Sequence, residues 1–393
     1  MKNQNKSFIW LIIFLVGFPQ ISETIYTPSL TFLSTAYGVS NHQIQKTLSI
    51  YFIGFAIGVL LWGILSDIIG RKSSMLTGIV LYIIGSYLCL QSPNFVALLF
   101  ARFVQAVGAA AGSNVSQTIL RDTFNNKERT AVFSTISAVL AFSPAIGPLL
   151  GSIVASIWDV YMVFVLLILL GTVALFWSSF GLRETLQQDK KLKLSFRQIT
   201  KKIINDKVFW IYGGFIGILN GIIFSYYGEA PFIFMEYFKF SMIQYGCLGC
   251  IVALASFFGA KYCKKMSIKK TNQQILFTGN LIFLLGIILY MISISFLLSY
   301  STLVISFLLM SVFVIFFGLS CMLPVCLSNA LINHTDHLGI SGAILGLYYY
   351  SIVGIITFIM SYIDSSLLLY YPLFLMFWFI IILLLFKLYY AKS

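Results

Sequence analysis

Charge is what this chain has least of. Only 9% of its 393 residues are Asp, Glu, Lys or Arg, against about 25% in an average soluble domain. So little charge cannot cover a water-exposed surface, and a soluble globular fold is excluded. Acid is scarcer than base: 12 Asp and Glu stand against 25 Lys and Arg, a formal net charge of +13. The excess does not mark a nucleic-acid partner, because the basic residues lie in short loops rather than on one folded face. The three histidines and six cysteines are too scattered for a metal centre. Cys247 and Cys250 form a C-x-x-C pair, but no second pair or histidine cluster completes a zinc site. With Cys89, Cys263, Cys321 and Cys326 they read as small apolar filler. The sequence has no H-E-x-x-H, no G-x-S-x-G and no nucleotide-binding P-loop. That disfavours an intramembrane enzyme and an ATP-driven pump, and no cofactor or metal is expected.

What is present is apolar. Hydrophobic residues make up 59% of the chain, in runs long enough to cross a bilayer as helices. A membrane β-barrel would instead alternate over segments of about 10 residues. Twelve spans are predicted, at 7–33, 46–65, 74–91, 95–119, 131–155, 160–181, 208–235, 242–262, 273–296, 302–330, 340–362 and 366–388. The first run has no A-x-A site after it and leads straight into a second span, so it reads as retained. Of the 25 Lys and Arg, 22 fall in segments that share the N-terminus's side. Only Lys46 and Lys239 fall on the other side, and Arg102 lies within the fourth span. The positive-inside rule then puts both termini in the cytoplasm. A basic, Gln-rich connection divides the chain into 1–182, a linker at 183–207, and 208–393. Six spans on each side of a linker is the layout of many secondary transporters. Within the linker, "LSFRQITKKII" reads as a surface amphipathic helix or a plain solvated linker.

Charge inside a span is costly, about 2.5–3.5 kcal/mol at a helix centre, and three residues carry it: Glu23, Arg102 and Glu229. His334 and His337 lie near a cytoplasmic end and read as loop residues. Glu23 and Glu229 each fall in the first span of a half, ahead of Pro28 and Pro231. Removing a carboxylate from water disfavours its charged form, which makes both candidates for proton coupling. Arginine is permanently charged, so Arg102 needs a carboxylate, carbonyls or water, and an acid on a neighbouring span is a candidate partner. It is followed by Gly108, Ala109, Ala110, Ala111 and Gly112, small residues that let helices pack closely. In the fifth span Pro144, Gly147, Pro148 and Gly151 predict a bent, tightly packed helix. Tyr26, Gln105, Tyr226, Tyr227 and the run Tyr348 to Tyr350 are candidates to line a substrate cavity.

Three motifs now stand in order along the chain. "GILSDIIGRKSS" resembles the loop signature of the major facilitator superfamily, filled at Gly63, Leu65, Asp67, Gly70, Arg71 and Lys72. "RFVQAVGAA" is similar to its fourth-span motif at Arg102, Gln105, Gly108 and Ala109, with Ala106 for a glycine. "SPAIGPLLGS" is similar to its fifth-span antiporter motif at Gly147, Pro148 and Gly151, with Ser152 for the last glycine. "IYTPSL" and "SYYGEAPFIF" resemble the Bcr/CflA-type drug-resistance branch. Against that branch, Thr24 stands where an acid is expected, and Glu23 lies one residue earlier, about 100° around the helix.

The resemblance implies an all-helical fold of two six-helix bundles and a monomeric multi-pass protein of a bacterial inner membrane. It implies a loop cluster that latches the cytoplasmic side, and proton-driven export of small amphiphilic molecules or drugs by alternating access. The expected partners are a small-molecule substrate, protons and the lipid bilayer. The residues also admit a dedicated exporter of one metabolite or siderophore, an importer, or a sensor built on a transporter fold.

Overall fold

The computed structural model describes residues 2–124, 146–186, 196–297, 301–363 and 368–390. Among these residues every regular element is helical. The helices are α1 (Lys2–Thr24), α2 (Leu30–Ala36), α3 (Asn41–Ile69), α4 (Arg71–Leu90), α5 (Phe95–Thr123), α6 (Ile146–Ile157) and α7 (Met162–Gly181). They continue as α8 (Phe196–Ile204), α9 (Lys207–Pro231), α10 (Met242–Met266), α11 (Asn272–Leu297), α12 (Ser301–Asn329), α13 (Leu338–Met360) and α14 (Tyr370–Tyr390). Eleven helical stretches in the described residues are long and apolar enough to span a membrane, and α6 is a shorter apolar helix. The first part of the predicted fifth span, with Pro144, lies outside the described residues, as does Leu194–Ser195 of the linker segment.

The predicted first span is not one continuous helix. Pro28 has no N–H to give the carbonyl of Thr24 four residues back, and its ring crowds that carbonyl. The Thr27 hydroxyl donates to the Thr24 carbonyl instead, at 2.8 Å. α1 therefore ends at Thr24, a 3₁₀ turn covers Thr27–Ser29, and α2 resumes at Leu30. Glu23 sits on the last turn before the break. α9 is likewise followed, after Pro231, by a π-helical turn over Phe232–Tyr237.

Neighbours in sequence pack together. α4 lies on α5 and α5 on α3, while α11 lies on α12, α12 on α10 and α9 on α13. The halves meet along α3 and α13. A Cβ on Gly63 would come within 2.8 Å of the Ala343 Cβ, and one on Gly354 within 2.9 Å of Ile53. In the linker, α8 turns Ile199 and Ile203 inward and Lys201 and Lys202 outward, and it rests on α13. It is thus a helix docked on protein. Lipid-facing positions stay apolar, as at Phe176 and Phe180 of α7.

His334 lies in the turn between α12 and α13, and it is buried there, with its Nε2 2.8 Å from Asp206 Oδ2. The same oxygen accepts from Asn333 at 3.1 Å, and Asp206 Oδ1 caps α9 through the Val208 N–H at 2.9 Å. One carboxylate thus ties the start of α9 to the turn after α12. The side chain of His337 lies outside the described residues.

Candidate functional site

Glu23 and Arg102 are both fully buried, at 0% exposure. Arg102 is held chiefly by rings. Its guanidinium carbon lies 4.0 Å from the Tyr26 ring centre and 4.3 Å from that of Tyr51. Cation–π attraction in a desolvated place is worth about 2 kcal/mol, and the planar guanidinium suits a stack between two faces. Its Nη1 donates to Gln105 Oε1. Gln105 Nε2 donates in turn to Ser86 Oγ at 2.7 Å, and Ser86 Oγ donates to the Tyr82 carbonyl at 2.8 Å. Tyr82 shares a 2.9 Å hydrogen bond with Ser22, one residue from Glu23, and Tyr26 shares one of 2.6 Å with Thr47. Arg102 is therefore fixed by the turn after α1 together with α3, α4 and α5.

Glu23 is treated differently. Neither carboxyl oxygen has a hydrogen-bond partner, and Arg102 Nε and Nη2 are also without one. The two residues lie within electrostatic reach of each other. Glu23 is also within electrostatic reach of Tyr51 of α3 and, across the interface between the halves, of Tyr349 and Tyr350 of α13. An acid and a base are thus housed together, with donors and acceptors left over on both.

Glycines make this geometry possible. A Cβ on Gly85 would stand 2.3 Å from the Gln105 amide nitrogen, and one on Gly108 would stand 2.2 Å from that of Tyr82. Only bare backbone lets α4 and α5 approach so closely, and that approach puts Gln105 on Ser86. α6 presses on the other side. A Cβ on Gly147 would lie 2.1 Å from Thr24 Oγ1, and one on Gly151 would lie 1.7 Å from the Ile25 carbonyl. The antiporter-like glycines therefore clamp the turn that carries Glu23. Ser152, in the place of the motif's last glycine, packs instead on Gly246 of α10.

A second cluster surrounds Glu229, which is 2% exposed. Gln45 Nε2 of α3 donates to Glu229 Oε2 at 2.9 Å, so this bond crosses between the halves. Asn41 to Glu236 at 2.8 Å, Thr27 to Tyr245 at 3.4 Å, and Lys46 over the Tyr362 ring at 4.6 Å also cross there. By the charge distribution this is the outer side. The structure brings Tyr26 and Gln105 to the Arg102 site, but it places Tyr226 and Tyr227 in this second cluster, against Phe316.

At the opposite end the signature loop forms a compact knot. Arg71 Nη1 bonds Asp67, and Arg71 Nε bonds Asp122 Oδ2 at 3.1 Å. Gly70 takes φ +95°, a conformation open to glycine, and a Cβ there would meet Glu184 Oε2 at 2.4 Å. Glu184 caps α4 from the end of α7, accepting from the Arg71 N–H at 2.8 Å and the Lys72 N–H at 3.2 Å. Lys72 Nζ reaches the Ser179 carbonyl at 2.8 Å. Burial pushes the Glu184 carboxyl up, but the N–H groups of Leu186, Arg71, Lys72 and Thr185 outweigh it and hold the group below its ordinary 4.5. Asp122 and Glu184 were not apparent from the sequence. Their only signal is an acid at the end of a predicted span.

An apolar groove of about 660 Å³ on α7, lined by Thr172, Val173, Phe176, Trp177 and Phe180, contains none of these residues.

Comparison with known proteins agrees with this architecture. An uncharacterized transporter of Rickettsia felis is 32% identical over 365 residues, covering 91% of this chain and 90% of that one. A bicyclomycin resistance protein homolog of Haemophilus influenzae is 27% identical over 238 residues, 59% of this chain and 58% of that one. The crystal structure of a D-xylose–proton symporter superposes with a TM-score of 0.75, covering 97% of each chain at 15% identity, which speaks for the fold alone. The profile described as Major Facilitator Superfamily matches residues 9–361, and the chain is a member of that superfamily of transporters.

Proposed function

We propose that this transporter is a proton-coupled exporter of small amphiphilic molecules, working by alternating access, with Glu23 as the proton site and Arg102 as its electrostatic partner. The reading divides the chain into two bundles, 1–182 and 208–393, joined by a linker at 183–207, as a monomer in a bacterial inner membrane. The observation that carries it is the buried Glu23 carboxyl, free of hydrogen bonds and within reach of an arginine held by other groups.

Charged Glu23 attracts Arg102; neutral Glu23 does not. At contact such an attraction is on the order of 4 kcal/mol for an effective dielectric of about 20. That is ample to tip a two-state equilibrium, since each ligand shifts it only by its differential affinity. Drawing Arg102 toward Glu23 would pull it from Tyr26, Tyr51 and Gln105, and so would move α1 and α5 against α3. We assign the described arrangement, with Arg102 in its tyrosine clamp, to the protonated step. Because Tyr349 and Tyr350 of α13 lie within electrostatic reach of Glu23, the same event is felt across the interface. The antiporter-like glycines of α6, packed on Thr24 and Ile25, favour export over import. The related bicyclomycin resistance homolog points the same way. The signature knot at Asp67, Gly70, Arg71 and Lys72 latches the cytoplasmic side, and Glu229 joins the halves on the outer side.

The test is ethidium accumulation in an efflux-deficient bacterial host that expresses the chain. Expression should lower accumulation, and a protonophore or Glu23→Gln should restore it. Accumulation raised by expression would mean import, and insensitivity to the protonophore would remove the proton from the mechanism.

A further inference from the structure

We propose that Glu229 and the tyrosines around it form a binding site for the positively charged end of an organic cation, separate from the proton site at Glu23. This deepens the exporter reading by naming a substrate class and its place, and it rests on that reading for the site's opening and closing.

Tyr226 and Tyr227 come from α9, as Glu229 does. Tyr245 comes from α10, Tyr290 from α11 and Tyr371 from α14. All five are buried. Tyr290 and Tyr371 have ring centres 5.8 Å apart, and both lie within electrostatic reach of Glu229. Tyr226 lies within electrostatic reach of the other four phenols, and its ring centre is 5.6 Å from that of Tyr227. A carboxylate beside several electron-rich rings is the chemistry that recognises ammonium and phosphonium groups. Two of the phenols add a second observation: the hydroxyls of Tyr227 and Tyr290 are buried with no hydrogen-bond partner. A buried hydroxyl left unpaired costs about 1–3 kcal/mol, so this cluster is not arranged for stability alone. The molecule already shows the same chemistry once. At the other carboxylate, two tyrosines hold the guanidinium of Arg102. Among the described residues the buried arginines, Arg71 and Arg102, belong to the N-terminal half, whereas this cluster is built by the C-terminal half.

Gln45 makes the site conditional. Its amide occupies Glu229 Oε2 from the other half. Parting the halves on the outer side withdraws that donor, and closing them returns it. A cation that reaches Glu229 from the cytoplasmic side would therefore compete with the Gln45 amide and favour opening of the outer side.

The experiment uses the purified full chain in nanodiscs, with tetraphenylphosphonium as the cationic probe and triphenylphosphine oxide as a neutral probe of similar bulk. The cation should bind more tightly than the neutral compound. Glu229→Gln should weaken the cation by about tenfold or more and leave the neutral compound unchanged, while Glu229→Asp should retain most of the affinity. Asp159→Asn, the same charge change at an exposed acid on the same side, should have no effect. Tyr290→Leu should weaken the cation alone, and it tests the site if Glu229→Gln fails to fold. Equal binding of both probes, no binding of the cation, or unchanged affinity in Glu229→Gln and Tyr290→Leu would overturn the proposal. Proton coupling is read separately, from Glu23→Gln transport under a pH gradient, so either reading can fail alone.

Discussion

Each half of the chain opens with a helix that carries one buried carboxylate ahead of a proline, and the two carboxylates are held in opposite ways. Glu23 accepts no hydrogen bond and lies within electrostatic reach of an arginine held by other groups. Glu229 accepts from an amide of the other half and sits among phenols. The prolines act in keeping with this contrast. Pro28 lies five residues beyond Glu23 and breaks the helix just after it, with Thr27 taking over the freed carbonyl. Pro231 lies two residues beyond Glu229, and the chain there runs on into a π turn. On the proposed reading, equivalent places in a 6+6 architecture serve different tasks: one acid exchanges a proton, and the other accepts a hydrogen bond across the interface.

The contrast breaks most visibly at Glu23. Glu23→Gln should reduce pH-gradient-driven transport to background, whereas Glu229→Gln should keep transport of a neutral substrate coupled to the gradient. If the two variants behave alike in a proteoliposome assay, the division of labour is wrong. Gln45→Leu should then separate gate from proton site. Losing a hydrogen bond to a charged group costs about 1.5–3 kcal/mol. External labelling of a cysteine placed at Thr27, in a cysteine-free background, should therefore accelerate by about tenfold or more. Gly85→Val and Gly108→Val should strain the α4–α5 contact by about 1–3 kcal/mol, read as a lower melting temperature with weakened proton coupling. The smallest effect belongs to the loop. The Glu184 carboxyl is held below 4.5 when it caps α4, so its support of the knot is full above that pH and lost as pH falls through the lower folded value. Glu184→Gln should flatten this acid dependence of the melting temperature and change transport near neutrality little.

Part of this arrangement can be read from the chain itself. Asp67, Gly70 and Arg71 are close in sequence, so a short loop with that spacing already implies their knot. Glu23, Arg102 and Glu229 stand out because charge is expensive in lipid wherever the helices go. What cannot be read is which helix faces which. Tyr51 and Ser86 look like ordinary span residues until helices from distant parts of the chain bring them to Arg102 and its partner Gln105. Gln45 looks like a helix-start residue, although its partner is 184 positions away. Tyr226 and Tyr227 group naturally with Tyr26 by residue type, yet they belong to the other carboxylate. Gly85 carries no motif, and its role appears only in the 2.3 Å that a Cβ would leave to Gln105.

The most direct measurement takes the full chain in proteoliposomes and follows ethidium transport with an imposed pH gradient and, separately, ethidium exchange with no gradient. With Glu23 as the proton site, Glu23→Gln should lose gradient-driven transport yet retain exchange that no longer varies with pH. Gradient-driven transport of wild-type size in Glu23→Gln would contradict that assignment.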